Sequence, residues 1–121
     1  MLHHGMKSMT PRQHKVASEV QHSAAMALVQ GRIPSTLPLE RITVVDCWVS
    51  ADLRLARLFL QVPPESETGI PQKQFFLAAN AQLAKPMRKY FASHLATKFI
   101  PDPSFWPAED DLSYPTAQPK A

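Results

Sequence analysis

One cysteine, three glycines and no acidic residue between positions 72 and 100 are the shortages that bound this 121-residue chain. With Cys47 alone, no internal disulfide can form, which fits a reducing compartment. No apolar run approaches the roughly 20 residues needed to span a membrane. The opening Met1-Leu2-His3-His4-Gly5-Met6 also lacks the apolar core of a signal peptide. The expectation is a soluble, cytoplasmic protein with no membrane partner. The sparse glycines leave no Gly-x-x-Gly loop of the kind that clamps a single strand in ordinary K-homology domains. Aromatic residues are few and are not interleaved along the chain as in a stacking platform.

Metal chemistry is equally short of ligands. His14 and His22 lie eight residues apart on one stretch, two helical turns and too far for one ion, and His3 and His4 sit in the N-terminal segment. No cofactor and no metal is expected. Cys47 falls on the inward face of an expected strand, where packing is its role and nucleophilic catalysis is not. Asp52 has no partner for acid–base work and fits a turn carboxylate bonded to its own backbone. No enzyme and no small-molecule substrate is implied.

What the chain does have is an uneven charge. Residues 1–100 carry twelve Lys and Arg against six Asp and Glu, and residues 101–121 carry one against four. The acid-free stretch holds Lys73, Lys85, Arg88, Lys89 and Lys98. An ordinary solvated helix mixes both signs to form i,i+4 pairs. A one-signed stretch is instead an electrostatic footprint for a polyanion, most often nucleic acid. Arg88 is the strongest single candidate, because a guanidinium can hold a phosphate through two bonds. Arg12 and Lys15, early in the first helix, are weaker ones.

At this length one modest core is possible. Residues 1–9 read as a flexible N-terminus, residues 10–106 as the domain and residues 107–121 as a disordered acidic, proline-rich tail. Thr10-Pro11-Arg12-Gln13 has a capping residue, a first-turn proline and the third-position glutamine of a capping box. Val16, Val20, Ala24, Ala27 and Leu28 continue at helical spacing, and Gly31 ends the helix near Gln30. The runs Ile42–Val49 and Leu55–Val62 are β-prone and separated by a short Ser-Ala-Asp-Leu turn, which predicts an antiparallel hairpin. Pairing Val49 with Arg54 puts Cys47 opposite Ala56, Val45 opposite Leu58, Asp46 opposite Arg57 and Val44 opposite Phe59. Thr43, Val45, Cys47 and Val49 then face the core with Ala56, Leu58, Leu60 and Val62, while Trp48 and Phe59 take the less buried face, either covering each other or marking a protein contact. Pro63–Pro71 is a polar loop. A helix follows from about Gln72, broken near Lys85 by Pro86 and resumed through Met87, Tyr90, Phe91 and Leu95. Lys98-Phe99-Ile100 reads as a short third strand, with a possible continuation at Phe105-Trp106.

This order of elements and these residues resemble the ribosome-binding factor A family of bacterial small-subunit assembly factors. The resemblance runs from about Thr10 to Phe105. Its most specific part is the hairpin, where Val49-Ser50-x-Asp52-Leu53-x-x-Ala56 matches the family's pattern. Arg12-x-x-Lys15-Val16-x-x-Glu19 and Ile100-Pro101-x-Pro103-x-Phe105 are weaker matches in the right order. Where the family has Ala-x-Gly at the break between its later helices, this chain has Leu83-Ala84-Lys85 and then Pro86, which can impose the break that glycine permits. The resemblance implies an α+β fold of the type II K-homology kind, α-β-β-α-kink-α-β, with a three-stranded sheet covered by helices on one face. It also implies a monomeric, non-enzymatic factor that binds small-subunit ribosomal RNA and assists late maturation of that subunit. Phosphate and shape recognition of folded RNA is expected over sequence reading. The alternatives are a similar module acting on other RNAs, and a protein-interaction adaptor using the Trp48/Phe59 face and the tail. Affinity for the assembled subunit separates the first of these.

Overall fold

The computed structural model describes residues 8–31 and 33–108. Its elements run α1 (Pro11–Gln30), a 3-10 turn at Leu39–Arg41, β1 (Thr43–Val49), β2 (Leu55–Gln61), a short α2 (Glu65–Thr68), α3 (Gln72–Gln82), α4 (Ala84–His94) and β3 (Asp102–Pro107). The architecture is α+β, with a three-stranded mixed sheet in the order β1-β2-β3. β1 and β2 are antiparallel, and β3 lies parallel to β2. The short α2 falls inside the stretch expected to be loop, and Gly69 closes it in the left-handed region at φ 73°.

The first helix begins as its residues dictate. Thr10 accepts from the Gln13 amide at 3.3 Å, and the Gln13 carboxamide accepts from the Thr10 amide at 2.9 Å. The same Gln13 side chain donates to the Val49 carbonyl at 2.9 Å, anchoring the start of α1 beside the hairpin turn. Two turns on, Gln21 donates to the Val44 carbonyl, so α1 runs antiparallel along β1. Val20, Ala24 and Ala27 are fully buried beneath it, against Val49, Ala56, Leu58, Phe75 and Phe91.

The hairpin departs from its expected register by two residues: Val49 pairs with Ala56, not Arg54, and Cys47 with Leu58. The cause lies in the turn. The Asp52 carboxylate accepts from the Ser50 hydroxyl at 2.6 Å and from the Arg54 amide at 3.1 Å. Arg54 is thereby taken out of the ladder, and β2 starts only at Leu55, whose amide donates to the Ser50 hydroxyl at 3.0 Å. Leu53 closes the turn at φ 63°. A left-handed residue that carries a side chain costs about 1–2 kcal/mol. Burying a leucine returns about 1.5–3 kcal/mol, so burial offsets the strain. Leu53 is 6% exposed.

A bulge between Val44 and Asp46 makes a second correction. Val44 turns into the core and Val45, expected inside, is 40% exposed. Thr43, expected inside with it, is exposed as well. An inserted residue shifts the alternation beyond it by one, which is what a two-against-one pairing must do.

The later helices break at Leu83, two residues ahead of the expected point. Proline acts backwards, since its ring collides with the carbonyl four residues earlier and no N–H is left to bond it. For Pro86 that carbonyl belongs to Gln82, the last residue of α3. Pro86 itself falls in the first turn of α4, where a missing donor costs little.

The third strand is Asp102–Pro107, and Lys98-Phe99-Ile100 is irregular. A local turn explains this, because the Thr97 hydroxyl donates to the Phe99 carbonyl at 2.7 Å and takes it out of any ladder. The Ala108 amide donates to the Leu60 carbonyl at 3.0 Å, so pairing continues past the point where the tail was expected to begin. The remainder of that tail, and the N-terminus up to Lys7, lie outside the described residues.

The outer edge of β3 is closed in an economical way. Pro103 and Pro107 have no N–H to offer, and between them Phe105 meets the Asn80 carboxamide of α3. Phe105 donates to it at 2.8 Å and accepts from it at 3.0 Å. The amide stands in for a neighbouring strand at the one position where an edge could pair. Asn80→Ala should therefore speed hydrogen exchange at the Phe105 amide and cost about 1 kcal/mol in urea unfolding. An unchanged Phe105 exchange rate would show that Asn80 does not hold this edge.

The hairpin turn yields a pH prediction. Hydrogen bonds from the Ser50 hydroxyl, then from the Arg54 amide, hold the Asp52 carboxyl below the usual carboxylate range. A depressed folded pKa stabilises the fold above the unfolded value, and that contribution is lost as pH falls through the folded value. The stability gap between the native chain and Asp52→Asn should be full at neutral pH and shrink below about pH 4. Chemical denaturation across that range measures it, and a gap constant down to pH 2 would contradict it.

Candidate nucleic-acid interface

The seven basic residues singled out in the sequence do not form one cluster. Lys85, Arg88 and Lys89 are all exposed and share one flank of α4, since they are three and four residues apart. The opposite flank buries Met87 and Phe91. Arg12 is exposed in the first turn of α1, and Lys15 one turn on. The Gln13 bond to Val49 brings that first turn to the hairpin-turn end of the sheet. Lys98 sits in the α4–β3 connection with its ammonium 5.5 Å from the centre of the Phe99 ring. Lys73 stands apart. It lines an open groove of about 500 Å³ with Phe76, Leu77, Trp106 and Pro107, at the far end of β3. Five residue steps of strand separate that end from Asp102, about 16 Å, too far for one phosphate to bridge.

Arg88 is not a bare cation. Its Nε lies 2.6 Å from Oδ1 of Asp102, the first acid after the acid-free stretch. Both side chains are at least half exposed, so the pair contributes little to stability, about 0–1 kcal/mol. Its larger effect is on the field, since a guanidinium beside a carboxylate presents a dipole to a distant phosphate. Among the described residues, Arg88 is the one member of the set held in an ion pair; the other described ion pair joins Arg41 to Glu67.

Sequence reasoning passed over Arg54 and Arg57, and the structure gives both a setting. The Arg54 guanidinium lies 4.5 Å from the centre of the Phe99 ring, and its carbonyl accepts from the Asp102 amide at 2.8 Å. Arg57 projects from the middle of β2 onto the face opposite the core residues Ala56, Leu58 and Leu60. It lies between two indoles, 5.4 Å from the Trp48 ring centre and 4.8 Å from that of Trp106. In register, Arg57 stands opposite Trp48 and Asp46 opposite Phe59. In the expected register Arg57 is set against Asp46 instead. Phe59, expected on the less buried face, is 3% exposed. Aromatics that are scattered in sequence are thus assembled by the sheet.

The rest of the site chemistry is inert. Burial, and then the neighbouring Asp46 carboxylate, push the Cys47 thiol far above its ordinary value, so it stays protonated and unreactive. The groove beside α3 has Lys73 as its only ionisable lining residue. Among the described residues, no group of three or more His, Cys, Asp or Glu is placed to hold a metal ion, and no helix is long and apolar enough to cross a membrane.

Replacing Asp102 by Asn should free Arg88 while changing unfolding stability by less than about 1 kcal/mol. Heparin, a generic polyanion, should then bind more tightly and with a steeper dependence on salt. Weaker binding to heparin would mean that Arg88 does not face the polyanion.

No family model and no curated protein matches the sequence. Solved structures do match. The crystal structure of ribosome-binding factor A from Thermus thermophilus superposes with a TM-score of 0.59 at 15% identity, covering 78% of this chain and 94% of that one. The solution structure of a Thermotoga maritima protein, provisionally assigned as a ribosome binding factor A, gives 0.63 at 23% identity, covering 92% of this chain and 99% of that one. The α+β architecture expected from the sequence is therefore the one observed, and the chain has the fold seen in ribosome-binding factor A.

Proposed function

We propose that this chain is a non-enzymatic ribosome assembly factor that binds small-subunit ribosomal RNA and assists late maturation of that subunit. The observation that carries the reading is the exposed, acid-free flank of α4, with Lys85, Arg88 and Lys89 side by side, on a fold shared with ribosome-binding factor A structures. Such a flank attracts phosphate without mixed-sign pairing of its own. Arg12, Lys15 and Lys98 extend the same contact toward the hairpin-turn end, and Lys73 makes a separate one. The protein acts as a monomer in the cytoplasm, with no cofactor and no small-molecule substrate. Among the described residues, Cys47 is a buried thiol and Asp52 a solvent-exposed turn carboxylate bonded within its own turn, which supports binding over catalysis.

Co-sedimentation with small subunits, large subunits and whole ribosomes across a salt series tests this reading. The expected result is binding to free small subunits alone, lost as salt rises. Absence from every ribosomal fraction at low salt would overturn it. The double variant Arg88→Ala, Lys89→Ala should weaken binding and reduce the salt slope by roughly two units at most, with Arg88 giving the smaller share because of Asp102. Unchanged binding in the double variant would move the site off α4.

A further inference from the structure

The groove between α3 and the end of β3 has a chemistry unlike that of the α4 flank. Phe76, Leu77 and Trp106 line it, with Leu77 58% exposed and Trp106 40%. Lys73 is its one ionisable lining residue. A polyanion is gripped by several cations, so a single lysine among apolar side chains suits a different occupant. The edge of β3 is also closed to an added strand, because the Asn80 carboxamide holds Phe105. An occupant must therefore dock through its side chains, bringing apolar groups and a negative charge.

The chain itself supplies that combination at the rim of the groove. Pro107 lines the groove, and the Ala108 amide is still bonded to the Leu60 carbonyl, so the described chain ends there. The residues that come next are Glu109, Asp110 and Asp111, followed by Leu112 and Tyr114. We propose that residues 109–114 dock back into this groove, with the acids on Lys73 and with Leu112 and Tyr114 against Phe76, Leu77 and Trp106. The length suffices. Six steps of extended chain reach about 20 Å, and the α3 wall from Gln72 to Asn80 rises about 12 Å, which leaves enough for a turn. The spacing fits as well, since alternate residues of an extended passage share a side and Asp110, Leu112 and Tyr114 then face one way. Pro115 biases Tyr114 toward that extended backbone. Tethering favours this occupant over a free peptide or a second copy, because a short link gives an effective concentration in roughly the millimolar range. The proposal does not depend on the RNA-binding reading, and adds to it only that the tail acids and a phosphate compete for Lys73.

The test compares amide and indole NMR spectra of the full chain with those of two full-length variants. One carries Glu109→Gln, Asp110→Asn and Asp111→Asn, and the other Leu112→Ala and Tyr114→Ala. Both should shift the signals of Lys73, Phe76, Leu77 and the Trp106 indole, and leave those of Lys85 and Lys89 in place. Lys73→Glu should shift the amides of Leu112 and Tyr114 in return, with the fold kept by circular dichroism. Changes confined to the substituted residues and their chain neighbours, with none on α3, would overturn the proposal. Groove shifts that appear only as protein concentration rises would mean the tail of a second copy, and would overturn it too. Leu77→Asp that loses small-subunit binding while both tail variants keep it would mean that the groove receives a partner instead, again against the proposal. Small-subunit binding by the native chain with no tail-dependent groove shift defeats this inference alone and leaves the assembly-factor reading intact.

Discussion

The Asp52 carboxylate accepts from the Ser50 hydroxyl and from the Arg54 amide, and through those two bonds it decides where β2 begins. Because Arg54 is held in the turn, Leu55 is the first strand residue and Ala56 the first to pair, with Val49. Every later cross-strand neighbour follows from that choice. Arg57 comes to stand opposite Trp48, and on its other side β3 adds Ser104 in register with Arg57 and Trp106 two residues beyond, in register with Phe59. The same turn presents the Arg54 carbonyl to the Asp102 amide, which is the first bond that β3 makes. One short turn therefore sets the hairpin, the start of the third strand and the neighbours of Arg57 across the sheet. Leu53, buried in a left-handed conformation, ties the turn to the core, so the register cannot slide without exposing a leucine.

Carboxamides and prolines handle the free edges. On the β1 side, Gln13 and Gln21 of α1 reach the carbonyls of Val49 and Val44, eight residues apart on the helix as their targets are five apart on the strand. A helix advances about 1.5 Å per residue and a strand about 3.3 Å, so two turns of one span roughly 12 Å and the other about 16 Å. Long, flexible glutamine side chains make up the difference. On the β3 side a single asparagine suffices, because prolines remove the neighbouring donors. With both edges met by side chains, the exposed flank of α4 remains available to a partner.

How much of this was legible in the sequence depended on the period of the signal. The cap at Thr10, the end at Gly31 and the inward stripe of α1 are local, and they stand as read. The hairpin was read two residues out of register. A shift of two preserves the alternation, so Cys47, Val49, Ala56, Leu58 and Leu60 still face the core, and the fold survives the error. Cross-strand neighbours do not survive it. The expected register sets Arg57 against Asp46, whereas in the fold its ring partners are Trp48 and Trp106. The bulge at Val45 has no local signal, and the break expected near Lys85 falls two residues earlier, at Leu83, for a related reason. Each is the remote consequence of another residue, a partner strand in one case and the backward reach of Pro86 in the other.

The basic segment was legible as a composition but not as a field. Between residues 72 and 100 the sequence has only cations, and counting treats them alike. In the fold, Asp102 is the first acid after that run and it returns to Arg88, pairing the residue best suited to grip a phosphate. A pair at 2.6 Å, half exposed, falls off with distance as a dipole and is screened further by salt. In the proposed RNA-binding reading, Lys85 and Lys89, the simpler charges, supply most of the long-range attraction of α4, and Arg88 acts at close range, where a phosphate would compete with Asp102. Attraction and grip are thus divided between neighbours on one helix turn. Asp102 joins this helix flank to the sheet, because its backbone starts β3 on Arg54 while its side chain holds Arg88.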